Sequence, residues 1–347
     1  HIWKALRVPR LTSKPSEYHL VWVRDGTYVA MALDATGNHD RARRFYEWCM
    51  QVQDPSGCWL QCYWPDGRRA IDNLELDEVG TPIFGTHRHY SVTKNRDFMV
   101  KMWPMTQRAA AFIIQNLAAD GLTNPSYDLW EEHYGRHLYS NVAVAAGLFS
   151  ASRHAELLGE KQLAEKWARA ADGLRKSILQ RFFSTETGYF VRSVDPIDST
   201  IDISALGLVF PFTLLSPQDI RVRRTVDEIE RKLVKKGGVM RYLGDRYDGI
   251  PEHRPWRETR GNFWVSAVLW LALYYLEAKN YEKAISLYRW VLNNTSSNLL
   301  LPQQVDEDGK PCSAVPYGLA HALFVMATLK LKETLPAGIM GLGIRID

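Results

Sequence analysis

The chain has 347 residues, 46% of them apolar, with 43 Lys and Arg against 39 Asp and Glu for a net charge of +4. That length and apolar share can bury a large core, and they fit one domain if it closes into a barrel or toroid. The near-neutral charge gives no footing for nucleic acid or an anionic membrane, and no apolar run reaches the ~20 residues a membrane helix needs.

Apolar residues recur at three- and four-residue steps along most of the chain, which predicts helices. After a short helix near residues 1–7, helical patterns cover roughly 26–36, a stripe at Ala42, Phe45, Tyr46 and Cys49, then 74–90, 96–118 and 138–158. They continue through Leu163, Trp167, Ala171, Leu174 and Ile178, then 201–211, 217–235 and 258–278, a stripe at Ala284, Leu287, Tyr288 and Val291, and finally 315–331. Gly, Pro, Asn and Asp punctuate about a dozen helices. No strand pattern is long enough for a sheet core, although short hairpins fit around Gly57–Tyr63 and Gly188–Val191. The tail from Leu335 to Asp347 is Gly-rich and reads as loose, leaving 1–334 as the expected domain.

The connections 54–73, 120–137, 237–256 and 295–314 concentrate Trp, Tyr, Asp, Glu, Arg, Gly and Pro. Helices alternating with aromatic and acidic loops suggest a scaffold that gathers its loops at one end for binding. Twelve Trp and sixteen Tyr fit either a large helical core or a sugar site, because pyranose faces stack on aromatic planes. Cys49, Cys58, Cys62 and Cys312 lack a second pair at zinc-site spacing and read as reduced, mostly buried thiols. No metal or cofactor is expected.

Four motifs carry chemistry. Tyr18 to Asp25 ends in an Arg-Asp pair at a helix start, which is either a cap or a fork-and-acceptor clamp on hydroxyls. In Ser126 to Glu132, two adjacent carboxylates follow Trp130. They are either acids favoured by a helix dipole or a general acid beside a binding carboxylate, with a pKa raised by the aromatic neighbour and the second charge. The third motif is Met240 to Tyr247 with Pro255-Trp256, and the fourth is Leu301 to Val305 with Ser313 to Pro316 and His321.

Together, over about Tyr18 to Leu331, these motifs resemble glycoside hydrolase family 15, the glucoamylases, and particularly their prokaryotic branch. The resemblance rests on the WxRD pattern at Trp22 to Asp25, Tyr63-Trp64-Pro65-Asp66-Gly67, Leu74 to Glu78, DLWEE at Asp128 to Glu132, Leu206 to Phe212, the Arg241 to Trp256 pattern, and the LPEQ-like Leu301 to Gln304. It implies an all-α (α/α)6 barrel, a six-hairpin toroid, and exo-hydrolysis of α-glucans or α-gluco-oligosaccharides from the non-reducing end with inversion. It makes Glu131 the general acid. It makes Glu132, Arg241, Arg24 and Asp25 hydroxyl ligands of the terminal glucose, and Trp64, Trp130 and Trp256 walls of the pocket. Tyr18, Trp22, Asp77 and His321 complete the expected substrate contacts.

The departure falls on the general base. The Glu of LPEQ is Gln303 here, and the family's WSHAEF-like segment is altered to Gly318-Leu319-Ala320-His321-Ala322-Leu323-Phe324. A neutral amide orients water but does not take its proton. Three readings follow: an exo-α-glucosidase disabled at position 303 or rescued by Asp306, Glu307 or Asp308; a non-hydrolytic glucan-binding or regulatory domain; and a glucosyl transferase that needs only Glu131.

Overall fold

The computed structural model describes residues 19–245, 247 and 261–334. Among the described residues ten α-helices run in chain order: α1 Val23–Ala35, α2 His39–Val52, α3 Leu76–Thr93, α4 Arg96–Gln115, α5 Leu138–Leu158, α6 Lys161–Arg181, α7 Ile220–Leu233, α8 Val265–Glu277, α9 Tyr281–Asn293 and α10 Gly318–Thr334. A 3-10 segment, Ile203–Leu208, lies between α6 and α7. The expected helix near 1–7 and the tail from 335 lie outside the described residues.

Packing order defines the architecture. α1 packs on α3, α3 on α5, α5 on the 3-10 segment, that segment on α8, α8 on α10, and α10 back on α1. This closed inner ring of six elements carries an outer layer in which α2 covers α1 and α3, α4 covers α3 and α5, α6 covers α5, α7 covers the 3-10 segment and α9 covers α8. The arrangement is an (α/α)6 barrel.

Sequence patterning separates the layers. Inner α8 is buried at every position from Val265 to Leu276, as a helix enclosed on all sides must be. Outer helices keep one apolar stripe: Val222, Val226, Ile229 and Leu233 on α7, and Ala284, Leu287, Tyr288 and Val291 on α9. Inner α3 and α5 cross closely because each offers a glycine there. A Cβ on Gly80 would lie 2.4 Å from the Ala143 carbonyl oxygen, and one on Gly147 would lie 2.7 Å from the Gly80 oxygen.

The turns that leave the inner elements are mostly short, whereas the connections that enter them are long and carry all the strands found among the described residues: β1 Leu60–Tyr63, β2 Arg69–Leu74, β3 Ser126–Tyr127, β4 Tyr134–His137, β5 Ser193–Asp195, β6 Ile197–Asp198, β7 Val234–Lys235, β8 Gly238–Val239, β9 Phe263–Trp264, β10 Gln304–Val305 and β11 Pro311–Cys312. Antiparallel pairing stitches neighbouring connections together, β4 to β5 and β9 to β10, with single bridges Val21–Tyr63 and Asp202–Tyr242. These loops therefore form one layer over the N-terminal ends of the inner ring.

Two expected helices differ. The stretch 201–211 forms only the 3-10 segment: the Asp202 carboxylate accepts the Ser204 N–H at 2.8 Å, and Pro211 has no N–H with which to continue a helix. In the stretch 258–278 the helix starts at Val265, because the backbone of Phe263 and Trp264 pairs with Val305 and Gln304.

Candidate active site

A cavity of ≈ 130 Å³ opens where the inner N-termini meet the loop layer. Its wall takes Trp22, Arg24, Asp25 and Tyr28 from the start of α1, Trp130 and Glu131 from the β3–β4 connection, Tyr139 from α5, and Arg241 and Tyr247 from the segment after β8. Trp264, Ser266 and Trp270 come from β9 and α8, Gln303 precedes β10, and Tyr317, Leu319 and Leu323 surround the start of α10.

Arg24 sits in an acidic socket made by α3. Its Nη1 donates to Glu75 at 2.8 Å and Asp77 at 2.6 Å and lies 3.1 Å from Glu78, while its backbone N–H donates to Glu78 at 2.6 Å. Glu75, Asp77 and Glu78 are fully buried and have the spacing of a metal-ligand group, but the guanidinium of Arg24 supplies the cation there. Burial pushes the carboxyls of Glu75 and Glu78 well above the ordinary range, against the pull of Arg24. Asp77 also accepts from Ser140 at 2.9 Å, so it lies behind Arg24 rather than on the wall. Arg24→Met is expected to cost about 3–5 kcal/mol of stability in urea denaturation at neutral pH, since it strands buried charge. The sign with pH follows. Without Arg24 the carboxyls of Glu75 and Glu78 titrate higher still in the folded state, so the penalty grows as pH rises through their already raised folded-state range and shrinks in acid. A loss independent of pH would show that packing, not charge, is what Arg24 supplies.

A tight turn presents the acidic pair. One oxygen of Asp128 accepts the N–H groups of Glu132 at 2.8 Å and His133 at 2.9 Å, and its carbonyl accepts the N–H of Glu131 at 2.9 Å. Glu131 takes a left-handed φ of 64°. That conformation is uncommon for a non-glycine residue, and the turn holds it there. The indole N–H of Trp130 donates to Asp202 at 2.9 Å, fixing the ring on the wall. Glu131 is exposed as a residue, yet protein atoms crowd its carboxyl where it meets the cavity. Desolvation by this burial raises its carboxyl to about 7, with Asp25 adding to the rise. Arg24, the nearby Trp22 indole and a 2.5 Å hydrogen bond from Gln61 oppose it, although the Trp22 N–H meets no acceptor in hydrogen-bonding geometry. Glu131 thus holds a proton near neutral pH and can release it to an oxygen in the cavity.

Glu132 turns the other way. It accepts from Arg241 Nη2 at 2.9 Å and from the Tyr242 hydroxyl. Arg241 is forked onto Asp245 at 2.7 Å through both Nε and Nη2 and lies over the rings of Trp264 and Trp130, 4.3 and 4.8 Å from their centroids. Trp264 donates to Asp245 at 3.1 Å, so cation, acids and aromatic wall form one unit.

Gln303 is 3% exposed. Its backbone is clamped on both sides, its N–H to Ala314 at 2.8 Å and its carbonyl to Val265 at 3.1 Å, and its Oε1 accepts from the Ser313 hydroxyl. Asp306 accepts the N–H groups of Asp308 and Lys310 in a turn, and Glu307 pairs with Lys235 at 3.0 Å; none of Asp306, Glu307 and Asp308 lines the cavity. Among the described residues its lining carboxylates are Asp25 and Glu131. Asp25 accepts from the Tyr317 hydroxyl at 3.3 Å.

Of the residues singled out in the sequence, the structure brings Trp22, Arg24, Asp25, Trp130, Glu131, Arg241 and Gln303 together around one cavity. Glu132 and Asp77 stand behind Arg241 and Arg24. His321 accepts the Leu301 N–H at 3.1 Å and so supports the chain leading to Gln303 instead of lining the cavity. Trp64 lies in the β1–β2 turn, its ring 4.8 Å from His19 and away from the cavity lining. Tyr18 and Trp256 lie outside the described residues. Sequence reading missed the aromatic floor of Tyr28, Tyr139, Trp264 and Trp270, together with Tyr317 and Gln61. In a helical pattern such aromatics are indistinguishable from core; only an excess of aromatics in the first turns of the inner helices marks them.

The family model for glycosyl hydrolases family 15 matches residues 50–329. An uncharacterized glycosyl hydrolase of Methanocaldococcus jannaschii is 32% identical over 325 residues, covering 89% of this chain and 50% of that protein. A trehalase of Thermoplasma volcanium is 24% identical, covering 92% and 52%. The crystal structure of a bacterial glucoamylase complexed with acarbose superposes with a TM-score of 0.78 at 24% identity, over 91% of this chain and 49% of that one. The chain spans about half the length of these curated relatives.

Proposed function

The chain belongs to glycosyl hydrolases family 15, and from that premise we propose that its cavity holds the non-reducing terminal glucosyl unit of an α-glucan or α-gluco-oligosaccharide, as in an exo-acting inverting α-glucosidase whose base position is Gln303. The observation that carries this reading is the convergence of Glu131, Gln303, Arg24 and Asp25 on one aromatic-walled cavity. Glu131 donates its proton to the glycosidic oxygen. Arg24 and Asp25 bind hydroxyls of the terminal ring, and so does Arg241, held by Glu132 and Asp245. The aromatic faces stack on the sugar. Gln303 orients the attacking water without taking its proton, so turnover is slowed on the order of 10²–10⁴-fold relative to a carboxylate at that place.

The test is glucose release from maltose, isomaltose, trehalose and maltotriose, with binding of each followed by calorimetry. Slow release with binding supports this reading. Binding with no release, even from activated α-glucosides, favours the second reading, a non-hydrolytic glucan-binding domain, for which Gln303 is the specific observation. No binding of any α-glucoside rules out both.

The pH profile has an expected form. The acid form of Glu131 predominates below about 7 and disappears above it. The rate is therefore flat in mild acid and falls tenfold per pH unit on the alkaline side. A profile that rises with pH would remove Glu131 from the acid role.

A further inference from the structure

The β1–β2 hairpin sends one side chain toward the acid. Gln61 on β1 is 3% exposed, and its Nε2 donates to Glu131 Oε2 at 2.5 Å. Asn73 on β2 donates through Nδ2 to Gln61 Oε1 at 2.8 Å. The chain of donors has one direction, from the Asn73 amide to the Gln61 carbonyl, and from the Gln61 amide to the carboxyl.

We propose that Gln61 is a positioning residue which, pinned by Asn73, fixes the Glu131 carboxyl and selects the oxygen that carries its proton. An amide NH2 offers hydrogens and no lone pair. Oε2 of Glu131 must therefore accept, and the proton of the acid form resides on Oε1, where it can be passed to a substrate oxygen. A Gln61 amide turned end for end would present its carbonyl instead, accept the acid proton and hold it away from the substrate. Asn73 prevents that turn because the Gln61 carbonyl is already engaged. The left-handed backbone of Glu131 makes such support necessary: the turn sets the direction of the side chain, and the hairpin sets its final rotation.

This inference rests on the reading of Glu131 as the acid, and its test separates the two. The ionisation of Glu131 is followed by carbon-13 NMR of labelled glutamate, assigned by difference from Glu131→Gln, in the full chain and in Gln61→Met and Asn73→Asp. Met keeps the length and removes the donor; Asp only accepts, so it draws the Gln61 NH2 to itself and turns the carbonyl toward Glu131. In both variants the Glu131 midpoint is expected to move upward, by about one pH unit. On a Gln303→Glu background, kcat is expected to fall about tenfold with KM little changed. If Gln61→Met does not fold, Asn73→Leu decides, because it removes the donor to the Gln61 carbonyl without adding a charge that would itself raise Glu131, and Asn73 is only half-buried. A midpoint that stays or falls in a folded variant overturns the proposal. A raised midpoint in a protein that cleaves no α-glucoside upholds the positioning and rejects the acid reading.

Discussion

Gln303→Glu is expected to raise glucose release from α-gluco-oligosaccharides by about 10²–10⁴-fold, the largest gain any single change in this chain should give. Gln and Glu have nearly the same shape, and the backbone at 303 is held by Ala314 and Val265, so the carboxyl arrives where the amide stood. The Ser313 hydroxyl that now donates to the amide carbonyl would donate equally to a carboxylate and favour its ionised form, offsetting part of the burial penalty. The new group takes the proton of the attacking water, which the amide cannot. Polarimetry during early turnover reads the stereochemistry: β-glucose forms first if the enzyme inverts. The parent chain offers a complementary measurement. Azide is already an anion and needs no base, so it is expected to yield β-glucosyl azide from an activated α-glucoside with Gln303 in place. If Gln303→Glu folds and gains nothing while azide is also inert, position 303 is not the base position. If the parent already turns over at ordinary enzymatic rates, another group serves, and among the described residues Asp25 is the remaining carboxylate of the cavity lining.

What was legible in the sequence followed from how local each signal is. The α5 boundaries, 138–158, and the buried stripe of α9 could be read directly, because amphipathic period and helix ends are properties of consecutive residues. The Arg24-Asp25 and Glu131-Glu132 pairs were visible for the same reason, as uncommon polar neighbours at helix starts and in a loop. The acidic socket around Arg24 was not. Glu75, Asp77 and Glu78 lie 51 to 54 residues away, and only the packing of α1 on α3 makes them its partners. The β9–β10 pairing is likewise tertiary. Phe263 and Trp264 continue the apolar run of α8, and nothing within that run shows that residues 304–305 would claim their backbone. His321 shows the limit from the other side: a polar residue in a suggestive motif is used by the fold to hold Leu301.

Glu131→Gln, made on the Gln303→Glu background, is expected to lower hydrolysis of maltose or trehalose by about 10²–10⁴-fold. The leaving group in those substrates is a sugar hydroxyl, a poor one unless it is protonated as the bond breaks. The amide keeps the size of Glu131 and its contact with Gln61, so the loss falls on kcat rather than on binding. Leaving-group dependence separates this from a damaged site. α-Glucosyl fluoride departs as an anion with little need of protonation, and its hydrolysis is expected to fall far less than that of maltose. The alkaline limb near 7 should vanish in the same variant, because the group that titrates there has been removed. A uniform loss for fluoride and maltose alike would mean that Glu131 holds the substrate instead of protonating it. Retention of the alkaline limb would assign that ionisation to another residue. Only the combination of a selective loss for poor leaving groups and a missing limb identifies the carboxyl at 131, carried on its strained turn at the cavity, as the proton donor.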